Sequence, residues 1–112
     1  MVQYSVQLDS GFGALSDATR RGILERLERG DASISALAYR FEMTLTGIKK
    51  HVRVLESAGL VRTKKVGRVR TCTLAAKGLD LEAAWMAKHR QMLEARLDRL
   101  SKFLERTKGD EG

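Results

Sequence analysis

One cysteine, Cys72, is all that this 112-residue chain contains, which excludes an internal disulfide and suits a reducing cytoplasm. Aromatic residues make up only 5% of it, so Leu, Ile, Val and Ala must do most of the packing. No apolar run approaches the roughly 20 residues that a membrane-spanning helix needs. The start, Met1-Val2-Gln3-Tyr4-Ser5, lacks the basic opening and apolar stretch of a secretory signal. The expectation is a cytoplasmic protein that makes no membrane contact. Internal repeats and low-complexity linkers are missing too. Asp17, Asp80 and Glu82 make no pair suited to acid–base chemistry, and there is no nucleophile–base constellation or phosphate loop, which argues against an enzyme.

What the chain does have is positive charge in one place. Residues 40–70 hold Arg40, Lys49, Lys50, Arg53, Arg62, Lys64, Lys65, Arg68 and Arg70 against only Glu42 and Glu56. That surplus of seven equals the net charge of the whole chain, so everything outside the window balances. Charge concentrated in this way produces a local field, and its commonest partner is a polyphosphate. With 43% apolar and 31% charged residues, the chain reads as one folded domain with a modest core.

Helical periodicity dominates the first half. Tyr4, Leu8, Phe12 and Leu15 recur at helical spacing, with Ser5 as a candidate N-cap, although Val2, Tyr4, Val6 and Leu8 also alternate like a strand. From Asp17, a capping residue, Leu15, Ile23, Leu24 and Leu27 share a face, and Gly30 follows the end. A second pattern over 33–41, capped by Ser33, shows Ile34, Leu37, Ala38 and Phe41. Glu42-Met43-Thr44 separates it from a third helix, capped by Thr44 (which need not exclude a phosphate contact) and ending before Gly59, the outline of a helix-turn-helix. In that third helix Ile48, Val52, Leu55 and Ala58 form a core stripe. Thr46, Lys49, Lys50, Arg53 and Ser57 form the opposite, cationic face, as a major-groove reader requires.

After Gly59 the composition turns β-like. Gly67-Arg68 between Leu60-Val61-Arg62-Thr63-Lys64-Lys65-Val66 and Val69 through Leu74 suits a two-residue type II′ hairpin. In that register Lys65 faces Arg70 and Val61 faces Leu74. Like charges across a ladder destabilise, so this arm is better explained by a phosphate backbone lying against it. Cys72 shares the core side with Val61 and Leu74, which favours an inert thiol over a redox switch. From about 77 to 107, Leu93, Leu97, Leu100 and Leu104 repeat at spacings of four, three and four, extended by Met86 and His89 and broadened by Trp85, Met92 and Phe103. That is a coiled-coil-like seam suited to a second copy of the same helix. Trp85 reads as packing rather than as the lining of an effector cavity, and His89 as a seam or surface residue rather than a metal ligand.

These residues resemble the ArsR-type winged-helix repressors of bacteria over nearly the whole chain. Ala14-Leu15-Ser16-Asp17-Ala18-Thr19-Arg20-Arg21-Gly22-Ile23-Leu24 is similar to the family's A-L-x-D-P-T-R-x-x-I-L opening. Lys50-His51-Val52-Arg53-Val54-Leu55-Glu56-Ser57-Ala58-Gly59-Leu60-Val61 is similar to its H-L-x-x-L-x-x-A-G-L-V segment, and Gly67-Arg68 resembles its wing tip. The resemblance implies a homodimer that binds DNA sequence-specifically and represses transcription. There are departures. Ala18 replaces the family's Pro, and the third helix opens Thr44-Leu45-Thr46-Gly47 instead of S-Q-P. Gly47 costs about 1 kcal/mol of helix stability relative to Ala and leaves room for a close approach to DNA. Where metal-sensing members carry C-x-C, this chain has Ser33 and Ser35, whose hydroxyls are poor ligands for soft metals. The family's other metal site would have only Asp80, Glu82 and His89, and one histidine is half a site.

The expected fold is mainly α with a β-hairpin wing (α+β), a winged helix-turn-helix with a long C-terminal dimerisation helix. One domain spans 1–112, with a DNA-binding core over 15–75, the wing at about 60–75 and the dimerisation helix over 77–107. Expected DNA contacts are Thr44, Leu45, Thr46, Lys49, Lys50, His51, Arg53, Lys64, Lys65, Arg68 and Arg70. His51 also fits a surface or wing-packing role. Expected dimer contacts are Tyr4, Leu8, Trp85, His89, Leu93, Leu97, Leu100 and Leu104. No cofactor or metal is expected, and the sequence names no effector. Double-stranded DNA with an inverted repeat is the expected partner. The alternatives are a winged-helix module for an acidic protein, a metal-responsive repressor using an unrecognised site, and a structured-RNA binder.

Overall fold

Three short polar side chains set where the central helices begin. Asp17, Ser33 and Thr44 are in extended conformation, and each accepts a backbone N–H three residues on, from Arg20, Ala36 and Gly47, all at 3.0 Å. Each cap satisfies a donor that the first helical turn leaves without a partner. The computed structural model describes the backbone of residues 2–75 and 78–111, and the side chains of 5–75 and 78–108. Its elements are α1 (Val2–Leu15), α2 (Ala18–Leu27), β1 (Ala32–Ser33), α3 (Ile34–Arg40), α4 (Leu45–Ser57), β2 (Val61–Val66), β3 (Val69–Leu74) and α5 (Asp80–Glu111). The chain divides into two compact units, Met1–Asp80 and Leu81–Gly112.

The first unit is a winged helix-turn-helix. Ile23, Leu24 and Leu27 of α2 pack with Ile34, Leu37 and Ala38 of α3 and with Ile48, Val52 and Leu55 of α4. Leu60, Val61 and Cys72 close the core from the hairpin side. Fully burying one such aliphatic side chain is worth about 1.5–3 kcal/mol, so these residues fix how α4 sits on α2 and α3. The helix-turn-helix turn is a Schellman motif: Met43 N–H reaches Ala38 C=O at 2.9 Å and Glu42 N–H reaches Tyr39 C=O at 3.2 Å. Such a motif puts one residue in the left-handed region, usually glycine, and here it is Glu42 (φ 53°). The end of α4 repeats the geometry with a glycine, Gly59 (φ 78°), and Leu60 N–H reaches Leu55 C=O at 2.9 Å.

The hairpin has the register expected from its turn: Val61 pairs with Leu74 and Lys65 with Arg70. Gly67 occupies the left-handed region (φ 62°) and Arg68 does not, as a type II′ turn requires. An unexpected short strand, β1, pairs Ala32 and Ser33 antiparallel with Cys72 and Thr71, making a sheet of order β1-β3-β2. Two other expectations need correction. Ser5 is no N-cap, because α1 already runs from Val2. The last helix runs to Glu111, beyond the expected 107; no proline or glycine pair interrupts 80–107, and Lys77, where it was expected to begin, lies outside the described residues.

The second unit consists of α5 from Leu81 onward; the whole helix is 32 residues long and so about 48 Å. Leu93, Leu97, Leu100, Phe103 and Leu104 are each 53–61% exposed. Two pairs one turn apart, Arg90–Glu94 at 2.9 Å and Lys102–Asp98 at 3.3 Å, decorate its surface. Among the described residues no helix is long and apolar enough to cross a membrane.

Candidate nucleic-acid interface

The cationic surface starts from the way α4 is seated. With Ile48, Val52 and Leu55 buried, the 3.6-residue period turns Thr46, Lys49, Lys50, Arg53 and Ser57 outward, and all five are exposed. Leu45, 48% exposed, adds an apolar group at the first turn of the same helix. Thr44 is occupied as the cap. A β-carbon at Gly47 would come within 3.1 Å of Met43 Cε and 3.2 Å of Thr44 Oγ1. What crowds Gly47 is therefore its own helix start.

The wing extends this surface. Strand alternation places Lys65 and Arg70 on the face shared by Thr63 and Cys72, Lys64 on the other face and Arg68 in the turn. The Lys65–Arg70 juxtaposition is eased from inside the protein. The Arg70 guanidinium donates to Thr63 Oγ1 at 3.1 Å, and Thr63 Oγ1 donates in turn to Glu56 Oε2 at 2.7 Å. Thr63 N–H adds a bond to the same carboxylate oxygen at 3.2 Å. A polar chain thus joins the wing to α4 and aims Arg70 along it. Neither Glu56 nor Thr63 was singled out from sequence, where Glu56 read only as a subtraction from the charge. Lys49, Arg53 and Glu56 of α4 and Thr63 and Arg70 of the wing line a cleft of about 290 Å³. Among the described residues none of Lys49, Lys50, Arg53, Lys64, Lys65, Arg68 or Arg70 makes a direct ion pair.

His51 is half-buried and turned toward α2. Its Nδ1 lies 3.2 Å from Arg20 Nη1 and 3.9 Å from Asp17 Oδ1. Arg20 also donates from Nε to Ala14 C=O at 2.9 Å and from Nη2 to Gly13 C=O at 3.1 Å. One guanidinium therefore holds the end of α1 and the middle of α4 together. The Arg20 backbone N–H, with the charges of His51 and Arg20, holds the Asp17 carboxyl below its ordinary range.

Residues 15–64 match a helix-turn-helix domain model. The HTH-type transcriptional regulator Rv2034 of Mycobacterium tuberculosis is 34% identical over 82 residues, covering 69% of this chain and 77% of that protein. The crystal structure of the ArsR family transcriptional regulator RHA00566 superposes with a TM-score of 0.77 at 45% identity, covering 84% of this chain and 97% of that one. This chain belongs to the ArsR family of transcriptional regulators. The chain is also similar to the transcriptional repressor SdpR of Bacillus subtilis and to Mb0332 of Mycobacterium bovis. SdpR is 29% identical, covering 70% of this chain and 88% of its own. The solution structure of Mb0332 is of a homodimeric winged helix-turn-helix DNA-binding domain, with TM-score 0.66 at 25% identity and coverage of 84% and 88%.

In this ArsR-family chain Ser33 and Ser35, expected at the C-x-C positions of metal-sensing members, have different surroundings. The Ser33 hydroxyl is used as the α3 cap, and Ser35 is exposed. Asp80, Glu82 and His89 all lie on α5, and among the described residues no three of His, Cys, Asp and Glu gather into a group that could hold a metal ion. His89 stacks obliquely on Trp85, ring centroids 4.1 Å apart. Cys72 is fully buried, and burial, with Glu56 nearby, pushes its thiol up to about 11, so it carries no thiolate at neutral pH. Of the expected dimer residues, Leu8 is buried within the single chain, while Trp85, His89, Leu93, Leu97, Leu100 and Leu104 are exposed on α5. Tyr4 lies in α1, but its side chain falls outside the described residues.

Proposed function

We propose that this ArsR-family regulator is a homodimeric repressor of the bacterial cytoplasm that binds an inverted-repeat operator in duplex DNA. We assign DNA binding to residues 15–75, with the wing at about 60–75, and dimerisation to 77–107. The observation that carries the reading is the outward face of α4, where Lys49, Lys50 and Arg53 stand without acidic partners beside a wing tethered to the same helix. Thr46, Lys49 and Lys50 read base edges in the major groove, with Leu45 beside them, while Arg53, Lys64, Lys65, Arg68 and Arg70 take phosphates. Thr44 acts first as the cap of this helix, and His51 acts through its hold on α2. The exposed stripe of α5 supplies the seam for a second copy, which sets two α4 helices about 34 Å apart on successive major-groove faces. SdpR as a repressor and Mb0332 as a homodimer support this assignment.

The test is footprinting on the DNA upstream of the protein's own gene, across a salt series. Two protected half-sites in inverted repeat are expected. With on the order of 6–10 phosphate contacts per dimer, affinity should fall roughly 10³- to 10⁵-fold between 50 and 200 mM salt. Lys64→Gln with Arg68→Gln should weaken binding to every sequence, while Lys49→Ala should change which sequences bind. Protection no stronger than on random duplex would favour an acidic protein partner instead.

A further inference from the structure

The last turns of α1 and the flank of α4 turned toward it border a second, open cleft of about 560 Å³. That volume lies within the roughly 300–1,000 Å³ range of small-molecule sites. Its walls are mainly small and apolar, with Gly13 and Ala14 on α1 and Val54 and Ala58 on α4, the hydroxyls of Ser10 and Ser57 add polar points, and the exposed Lys50 and Arg53 form its lip. The cleft is held open from one end: the Arg20 bonds to Gly13 C=O, Ala14 C=O and His51 fix the separation of the two helices. Nothing fills the space beside Gly13, since a β-carbon there would meet no atom within 4 Å. Val54, on the opposite wall, is left partly exposed.

The two halves of this cleft ask for different chemistry. Apolar walls favour a guest that sheds water from hydrocarbon, and two cations without acidic partners favour an anion. Inorganic phosphate would leave the walls wet, and a neutral hydrocarbon would ignore the lip. We propose that the cleft binds a small amphipathic carboxylate, with its apolar body between α1 and α4 and its charge on Lys50 and Arg53. Both cations also belong to the proposed DNA face, so the ligand and the duplex compete for them, and the cleft is the site at which an effector releases DNA. The release half of this inference rests on the DNA-binding reading, whereas the binding half stands on the cleft alone.

The test uses the full ¹⁵N-labelled chain titrated with octanoate, with octan-1-ol and acetate as controls. Octanoate should shift the amides of Gly13, Ala14, Val54 and Ala58 saturably, and each control, lacking one half of the chemistry, should bind at least tenfold more weakly. Saturating octanoate should raise the apparent Kd for a fluorescent operator duplex at least tenfold. Gly13→Leu fills the cleft from a helical position where a side chain raises helix propensity. It should keep duplex affinity within twofold and lose the response to octanoate. The site is overturned if octanoate leaves those amides unmoved or moves them equally in Gly13→Leu. It is overturned equally if the same amides shift on simple dilution of the ligand-free chain, because a second copy then occupies the cleft. Saturable shifts with unchanged duplex affinity would overturn the competition and keep the site. Failure of the ligand-free chain to bind any duplex would overturn the DNA reading beneath it.

Discussion

Glu42 shows how one residue sets a functional turn at a cost. It holds φ 53° at the helix-turn-helix junction, where an L side chain crowds its own carbonyl by roughly 1–2 kcal/mol, yet the two Schellman bonds it completes position the start of α4. Gly59 makes the same turn without that penalty. Glu42→Gly should therefore stabilise the protein by about 1 kcal/mol, some of the relief being offset by the greater freedom of glycine in the unfolded chain. A thermal melt should show the midpoint rising by several degrees, roughly 4–8 °C per kcal/mol for a unit of this size. An unchanged or lowered midpoint would mean the turn is unstrained. Asp17 gives a pH signature. The Arg20 backbone N–H, together with His51 and Arg20, favours its carboxylate in the folded state, so its folded pKa lies below the ordinary 3.8. The unfolded state then binds the proton more tightly, so the stabilisation is complete above that value and is lost as pH falls through the lowered pKa. Asp17→Asn keeps a capping oxygen but cannot titrate there. The stability gap between parent and variant, read from urea midpoints, should be widest near neutrality and narrow below pH 3.8. A gap constant across pH would assign the effect to something other than the charge.

At the scale of elements, the wing's contribution depends on the Arg70–Thr63–Glu56 chain that ties it to α4. Thr63→Val keeps the shape and the net charge but removes the hydroxyl between the two ions. We expect amide exchange at 64–70 to quicken and duplex affinity to drop several-fold, with the salt slope nearly unchanged because no phosphate contact is deleted. An affinity equal to the parent's would show that the wing needs no tether. This chain of contacts also marks where sequence reading stopped. Asp17, Ser33 and Thr44 were legible as caps, and Gly67-Arg68 fixed the hairpin register, because those signals act within three residues. The inward and outward faces of α4 followed from period alone. The pairing of Ala32 and Ser33 with β3 was not legible, since two residues carry no alternation and Ser33 already read as a cap. Glu56 meets Thr63 across the turn that follows α4, a distance no local pattern encodes. The Arg20 hold on His51 spans 31 residues; the family resemblance marked both residues but not their meeting.

For the whole molecule the deciding feature is the exposed leucine stripe of α5. Surface pairs such as Arg90–Glu94 and Asp98–Lys102 contribute only about 0.3–0.5 kcal/mol each, too little to hold a long helix whose leucines face water. Leu93, Leu97, Leu100 and Leu104, each more than half exposed, repeat at four, three and four, the spacing that keeps one seam against a facing helix. A second copy of α5 would match that seam, and under the proposed function dimerisation would also link two DNA-binding units into one bivalent ligand. Leu97→Glu with Leu100→Glu places two carboxylates in the middle of the seam, where burial in a dimer would be costly without partners. The double variant should sediment as a monomer at concentrations where the parent is dimeric. Its first unit should still unfold cooperatively, because the core of Ile23, Leu37, Ile48 and Leu55 is contributed by α2, α3 and α4 of that unit. Operator affinity should fall on the order of 10²-fold or more, the usual scale of lost bivalency, while binding of one half-site falls far less. A variant that still sediments as a dimer would place the interface elsewhere, and a monomer that grips the full operator as tightly as the parent would show that one copy suffices.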